Sequence, residues 1–139
     1  MDCKRIECDE IWSFCYAKQK NVPDEFHGTP GYGDVWTWTA IDADTKLVPS
    51  WLVGERTTHD CYVFLNDLRS RLLPGQRIQL STDGFGSYPP VVDALWRGNI
   101  DYAQIIKEYG DVTREEARKY SPSATCKVSE VNGDCRVIR

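Results

Sequence analysis

Two aspartates in strand-like segments are the residues of this sequence best suited to chemistry. Asp9 lies inside the strand-like segment of residues 7–12, and Asp83 ends a short strand-like segment that begins at residue 77. Removing a carboxylate from water is costly unless a partner compensates for it. A divalent cation shared by both side chains is one such partner, because hard cations prefer carboxylate oxygens. The pair therefore suggests a metal-dependent phosphoryl-transfer site.

The positions of the two aspartates suit different ligand roles. Phosphodiester cleavage and strand transfer need an activated attacking oxygen and a stabilised leaving oxygen, which two metal ions about 3.5–4 Å apart provide together. Asp9, in mid-strand, suits the ligand that bridges both ions, and Asp83, before the flexible Gly84, suits an outer ligand. Simpler interpretations stay open: Asp83-Gly84 alone is more often a turn, and Asp9-Glu10 alone is compatible with an edge strand facing water.

Other candidate residues have simpler interpretations. Asp42 and Asp44 are best explained as turn formers between two strands. Trp36 and Trp38 alternate along a strand, so their rings share one face, which is more often core than a base-stacking platform.

The elements that would position the aspartates follow an α/β pattern. A strand at residues 5–17 and a loop at 21–33 precede a predicted antiparallel hairpin of strands 34–42 and 47–54. A helix at 61–73, a strand at 77–83, a helix at 91–96 and a strand at 101–107 follow. Beyond residue 110, a charged stretch at 114–119 has helical character, a turn is predicted at Asn132-Gly133, and residues 137–139 resemble the start of another strand. Acids at the ends of parallel strands collect where a ligand can approach.

Size and charge limit the function classes. The 139 residues fit one domain, and 17 basic against 21 acidic side chains give a formal net charge of −4. This balance argues against a dedicated duplex-DNA-binding module but not against a nucleic-acid enzyme with a local basic groove. The sequence has no apolar run long enough to cross a membrane and no signal-peptide pattern at its start, so we expect a cytoplasmic location.

The six cysteines do not form a metal-binding pattern. No C-x-x-C pair occurs, and the two histidines are far apart in the sequence, which makes a structural zinc site a poor interpretation. Buried, reduced thiols are favoured, particularly for Cys8, Cys15 and Cys61 in apolar segments. The thiol or disulfide state of Cys126 and Cys135 stays open.

Five segments together resemble the catalytic domain of bacterial DDE-type insertion-sequence transposases, in particular the insertion-sequence-one group. They are residues 7–14, 33–42, 46–56, 80–88 and 101–110, and a further similarity covers Tyr120-Ser121-Pro122. The resemblance implies a ribonuclease H-like mixed sheet, two Mg²⁺ or Mn²⁺ ions, and cleavage and joining of transposon-end DNA. It makes Asp9 the first catalytic acid and Asp83 the second.

The sequence also departs from the family pattern in one respect. The third acid of these relatives is a glutamate on a helix that follows the region matching residues 133–139, where this chain ends. We therefore expect residues 1–110 to be the catalytic core and 111–139 a partial, truncated extension of it, with weak metal occupancy and no activity alone. Two alternatives stay open: a non-catalytic remnant that binds a partner or forms a homodimer, and a small nuclease whose third ligand is Glu130, Asp134 or a residue of a second subunit.

Overall fold

A six-stranded mixed sheet forms the centre of the protein. The computed structural model describes residues 1–108 and 125–133. The strands are β1 (Arg5–Cys15), β2 (Gly33–Asp42), β3 (Ser50–Gly54), β4 (Ile78–Thr82), β5 (Ile100–Glu108) and β6 (Thr125–Asn132). They lie in the order β3-β2-β1-β4-β5-β6. β1, β2 and β3 pair antiparallel, β1, β4 and β5 pair parallel, and β6 pairs antiparallel with β5. The predicted α/β mixed sheet, with an antiparallel start followed by parallel strands and flanked by helices, is confirmed.

Two helices provide apolar side chains that cover one face of this sheet. The helix α1 (Thr58–Arg71) begins where Thr57 accepts a hydrogen bond from the Asp60 amide at 3.2 Å, which satisfies one free amide of the first turn. The helix α2 (Tyr88–Trp96) has two prolines in its first turn, where they suit the backbone and remove no internal hydrogen bond. Neither helix, among the residues that the structure describes, is both long and apolar enough to cross a membrane.

The core lies between these helices and the central strands. From the sheet it receives Ile6 and Cys8 of β1, together with Trp38 and Ala40 of β2. From the helices it receives Cys61, Phe64, Leu65, Leu68, Val91, Val92 and Leu95. Because side chains alternate along a strand, the neighbours of these residues point to the opposite face. There Ile11, Trp51 and Val53 are exposed.

The structure differs from the sequence-based predictions in several places. Residues 125–132 form β6, although the sequence showed no clear period there; the strand pairs with the edge of β5. α1 begins at Thr58, three residues earlier than predicted, and β4 ends at Thr82, so Asp83 follows the strand instead of closing it. Cys15 is exposed, whereas a buried thiol was expected.

Some predictions concern residues that the structure does not describe. The predicted helical stretch at 114–119 and the final strand-like residues 137–139 lie outside the described residues, as do most of the residues of the proposed extension 111–139. Its described part, β6, belongs to the same sheet as the strands of the core. The division at residue 110 stays a prediction.

Candidate metal centre

The two predicted aspartates lie at an opening between neighbouring parallel strands. β1 and β4 pair from Arg5↔Gln79 to Glu7↔Ser81 and then separate. β1 continues alongside β2 to Cys15, whereas β4 ends at Thr82. Asp9 and Asp83 follow directly where the strands part. They line an open pocket of about 570 Å³, together with Glu10, Trp36, Arg56, Gly84, Phe85, Gly86, Ile105 and Ile106.

Three carboxylates meet in this pocket. One oxygen each of Asp9, Glu10 and Asp83 lie within 4.8 Å of one another. Asp9 Oδ1 accepts a hydrogen bond from the Glu10 amide at 2.9 Å, and Asp83 Oδ1 accepts one from the Phe85 amide at 3.0 Å. Each aspartate is therefore oriented by the backbone through one oxygen. Asp9 is exposed and Asp83 half-buried, so both are accessible from the pocket.

Glu10 has different surroundings from its two neighbours. Its side chain is 1% exposed. Oε1 accepts a hydrogen bond from Arg56 Nε at 2.9 Å, and Oε2 accepts one from the Tyr88 hydroxyl at 2.9 Å. Burial raises the pKa of Glu10, and the hydrogen bond from Arg56 opposes that shift. Sequence reasoning missed Glu10, although alternation places it on the same strand face as the buried Ile6 and Cys8.

Arg56 is the second residue that sequence reasoning missed. It lies in the short connection between β3 and α1, and its Nη2 is 2.9 Å from Glu10 Oε1 and 3.6 Å from Asp83 Oδ2. Its guanidinium carbon also lies 5.0 Å from the ring centroid of Trp36 and 4.2 Å from that of Phe85. Such cation–π contacts add to the ion pairs in fixing the side chain. No local sequence pattern marks this position.

The donor set of the pocket fits a hard divalent cation. Asp9 and Asp83 offer carboxylate oxygens, the ligands that Mg²⁺ and Mn²⁺ prefer. The thiols of Cys8 and Cys61 belong to the core and do not line the pocket, and burial raises the pKa of Cys61 to about 12 and that of Cys8 well above its ordinary value. The donor chemistry therefore supports the predicted type of cation.

The other acids considered from the sequence lie elsewhere or are not described. Asp42 Oδ2 accepts hydrogen bonds from the amide and hydroxyl of Thr45, at 3.0 and 2.6 Å, as expected of a turn residue. In the same turn, Asp44 forms an ion pair with Arg5. Glu130 lies on β6 opposite Ala103 and is not part of the acidic cluster found among residues 1–108 and 125–133. Asp134 lies outside the described residues.

The two tryptophans of β2 divide between core and pocket. Trp38 is completely buried, as predicted for both rings. Trp36 is half-buried and lines the pocket beside Arg56. One face of β2 therefore contributes to the core at Trp38 and to the candidate site at Trp36.

Comparison with known proteins gives a partial structural similarity. No protein-family profile matches the chain, and no curated protein matches it either. The Mos1 strand transfer complex, a solved crystal structure, contains a chain with 17% sequence identity and a TM-score of 0.47. The similarity covers 72% of this chain and 34% of that one. The chain thus spans about a third of the length of the protein to which it is similar.

Proposed function

We propose that this domain acts on DNA as a transposase-like DDE domain, with Asp9 and Asp83 holding the divalent cations used for phosphodiester cleavage and strand transfer. The observation that carries the proposal is the meeting of the two aspartates. They come from separate strands, and with Glu10 their oxygens lie within 4.8 Å in one open pocket. The resemblance of the sequence segments around both residues to insertion-sequence transposases supports the same assignment.

The chain's own residues prepare the pocket for this chemistry. Bound Mg²⁺ or Mn²⁺ would activate the attacking oxygen and stabilise the leaving oxygen of a phosphodiester. Asp9 and Asp83 supply carboxylates that backbone amides already orient, which lowers the cost of arranging them when a cation binds. The turn after β4 is open at the pocket, because a Cβ atom on Gly86 would meet no atom within 4 Å.

Metal titration of matched variants tests the assignment. We expect Mn²⁺ binding measured by calorimetry to weaken at least about tenfold in Asp9→Asn and in Asp83→Asn, because each loses a charged ligand. Asp93→Asn, which changes an exposed aspartate on α2, serves as the control and should bind Mn²⁺ like the unmodified protein. Any Mn²⁺-dependent nicking of plasmid DNA should disappear in Asp83→Asn.

Two results would contradict the proposal. An unmodified protein that shows no binding heat at millimolar Mn²⁺ has no functional metal site, which would favour the alternative of a non-catalytic module that binds a partner or forms a homodimer. Nicking that persists unchanged in Asp83→Asn would assign that activity to a contaminating nuclease.

A further inference from the structure

The buried carboxylate of Glu10 anchors the side chain of Arg56. Both oxygens of Glu10 already accept hydrogen bonds, one from Arg56 and the other from Tyr88. A cation at Glu10 would have to replace these contacts inside the protein, where uncompensated groups are costly. Glu10 is therefore better suited to hold an arginine than to bind metal, although it lies close to Asp9 and Asp83.

The anchored guanidinium has donor capacity left over for a ligand. Arginine carries five N–H donors in a planar fork. Nε and Nη2 face Glu10, and Nη2 also lies 3.6 Å from Asp83 Oδ2. Nη1 makes no hydrogen bond to any residue that the structure describes. The side chain is 37% exposed and lines the pocket, so these remaining donors are accessible to a molecule that enters it.

The backbone on both sides of Arg56 is also fixed. The Glu55 amide donates to Asp60 Oδ2 at 2.6 Å, and the Glu55 carbonyl accepts from Trp38 Nε1 at 3.1 Å. Thr57 caps α1 directly after it. The guanidinium is therefore positioned before any ligand arrives, because the backbone around Arg56, the carboxylate of Glu10 and two aromatic rings all hold it. This reduces the conformational entropy lost when a ligand binds.

We propose that Arg56 is a phosphate-binding residue of this site, which contacts an oxygen of the DNA backbone beside the cations held by Asp9 and Asp83. The inference rests on the proposed function. A planar guanidinium matches the geometry of a phosphate group, and this contact combines hydrogen bonds with opposite charge. The pocket contains three carboxylates and one arginine, so it repels an anion until divalent cations neutralise it. The contribution of Arg56 to DNA binding should therefore depend on the metal.

Salt-dependent DNA binding tests this role separately from the metal site. Fluorescence anisotropy would measure the affinity for a labelled DNA duplex in Ca²⁺, a hard cation that carboxylate oxygens also bind, and in EDTA. In Ca²⁺ we expect Arg56→Gln to weaken binding about tenfold and to reduce the slope of log K against log salt by about 0.9, because one phosphate contact is lost. In EDTA the variant and the unmodified protein should bind equally.

Two further variants make the test specific. Arg71→Gln, on the last turn of α1, removes an exposed arginine outside the pocket and should leave the metal-dependent binding unchanged. Arg56→Lys keeps the charge but loses the planar fork, so we expect a severalfold weaker affinity with the original salt slope. If circular dichroism shows that Arg56→Gln does not fold, Arg56→Lys becomes the test of the phosphate contact. An affinity of Arg56→Lys for DNA equal to that of the unmodified protein would then contradict the proposal.

The salt slope and the Mn²⁺ binding of Arg56→Gln distinguish failure of the phosphate contact from failure of the proposed function. An unchanged salt slope in folded Arg56→Gln would overturn the phosphate contact while leaving the metal site intact. Loss of Mn²⁺ binding in the same variant would mean that Arg56 positions the metal ligands. That result would also overturn the phosphate contact. If the unmodified protein binds no Mn²⁺, the proposed function itself fails, and the phosphate contact fails with it.

Discussion

Asp9 and Glu10 are neighbours in the sequence, but their carboxylates have opposite surroundings. Asp9 is exposed at the pocket, whereas the side chain of Glu10 is 1% exposed and bonded through both oxygens. Alternation along β1 produces this contrast, because consecutive side chains point to opposite faces of the sheet. One acid is therefore available to a ligand, and the other organises Arg56 and Tyr88.

The hydroxyl of Tyr88 should contribute measurably to stability. Tyr88 is fully buried, and its hydroxyl donates to Glu10 Oε2. Tyr88→Phe leaves that oxygen inside the protein without its donor, which costs about 1–3 kcal/mol in the free energy of unfolding. Urea denaturation followed by circular dichroism measures the change.

An exposed tyrosine provides the matched control for this substitution. Tyr62 lies on α1 with 46% of its surface exposed, so Tyr62→Phe should change the unfolding free energy by less than about 0.5 kcal/mol. Equal effects of the two substitutions would show that the hydrogen bond to Glu10 adds nothing to stability.

The connection from β3 to α1 is the element that places Arg56 in the pocket. Thr57 Oγ1 accepts from the Asp60 amide, and Asp60 Oδ2 accepts from the Glu55 amide. The pair resembles a capping box but differs from it, because Asp60 accepts from the amide of Glu55, two residues before the cap, and not from that of Thr57 itself. The cap therefore fixes both the start of α1 and the residue that precedes it.

Removing this cap should destabilise the protein by a modest, defined amount. We expect Thr57→Ala to lower the free energy of unfolding by about 1 kcal/mol, because the Asp60 amide loses its side-chain acceptor. Thr57→Ser keeps a hydroxyl at the same place and should recover most of the loss. Thermal or urea denaturation of the three proteins gives the comparison, and an alanine variant as stable as the serine variant would argue against the cap.

The elements that the sequence predicted well are those whose signal is local. The apolar stripe of α1 and the aromatic alternation of β2 determine which faces are buried, so both appear in the sequence. β6 lacks such a signal: its residues Val128 and Val131 are exposed, and it forms because the edge of β5 provides a partner. Strand formation of this kind depends on tertiary pairing more than on intrinsic preference.

In the candidate site, too, some residues could be predicted from the nearby sequence, and others depend on partners that are far away in the sequence. Asp9 and Asp83 drew attention because each lies within or directly after a strand pattern, where burial was expected to make a carboxylate costly. In the structure Asp9 is exposed and Asp83 half-buried, so that expected cost is largely absent. Arg56 was not, since its role depends on Glu10 and Phe85, which are distant in sequence and meet it only in the folded sheet. Glu10 was recoverable from the alternation of β1, but only once that face was known to be buried.

The topology of the sheet brings the residues of the candidate site together. β1 and β4 are parallel neighbours, so they open toward the same edge of the sheet, and Asp9 and Asp83 meet where they separate. α1 and α2 pack into the core and leave this opening accessible, with Tyr88 at the start of α2 bonded to Glu10. The arrangement places accessible carboxylates beside an arginine held by Glu10 and two aromatic rings, which suits the proposed metal-dependent reaction on a phosphodiester.

Anomalous scattering from a crystal soaked in Mn²⁺ would show directly whether Asp9 and Asp83 share a cation. We expect an anomalous peak about 2.1 Å from a carboxylate oxygen of Asp9 and from one of Asp83, with Glu10 still bonded to Arg56 and Tyr88. The same soak of Asp83→Asn should lose or weaken the peak. A crystal with no peak between the two aspartates, or with Mn²⁺ on Glu10 and none on Asp9, would contradict the proposed metal site.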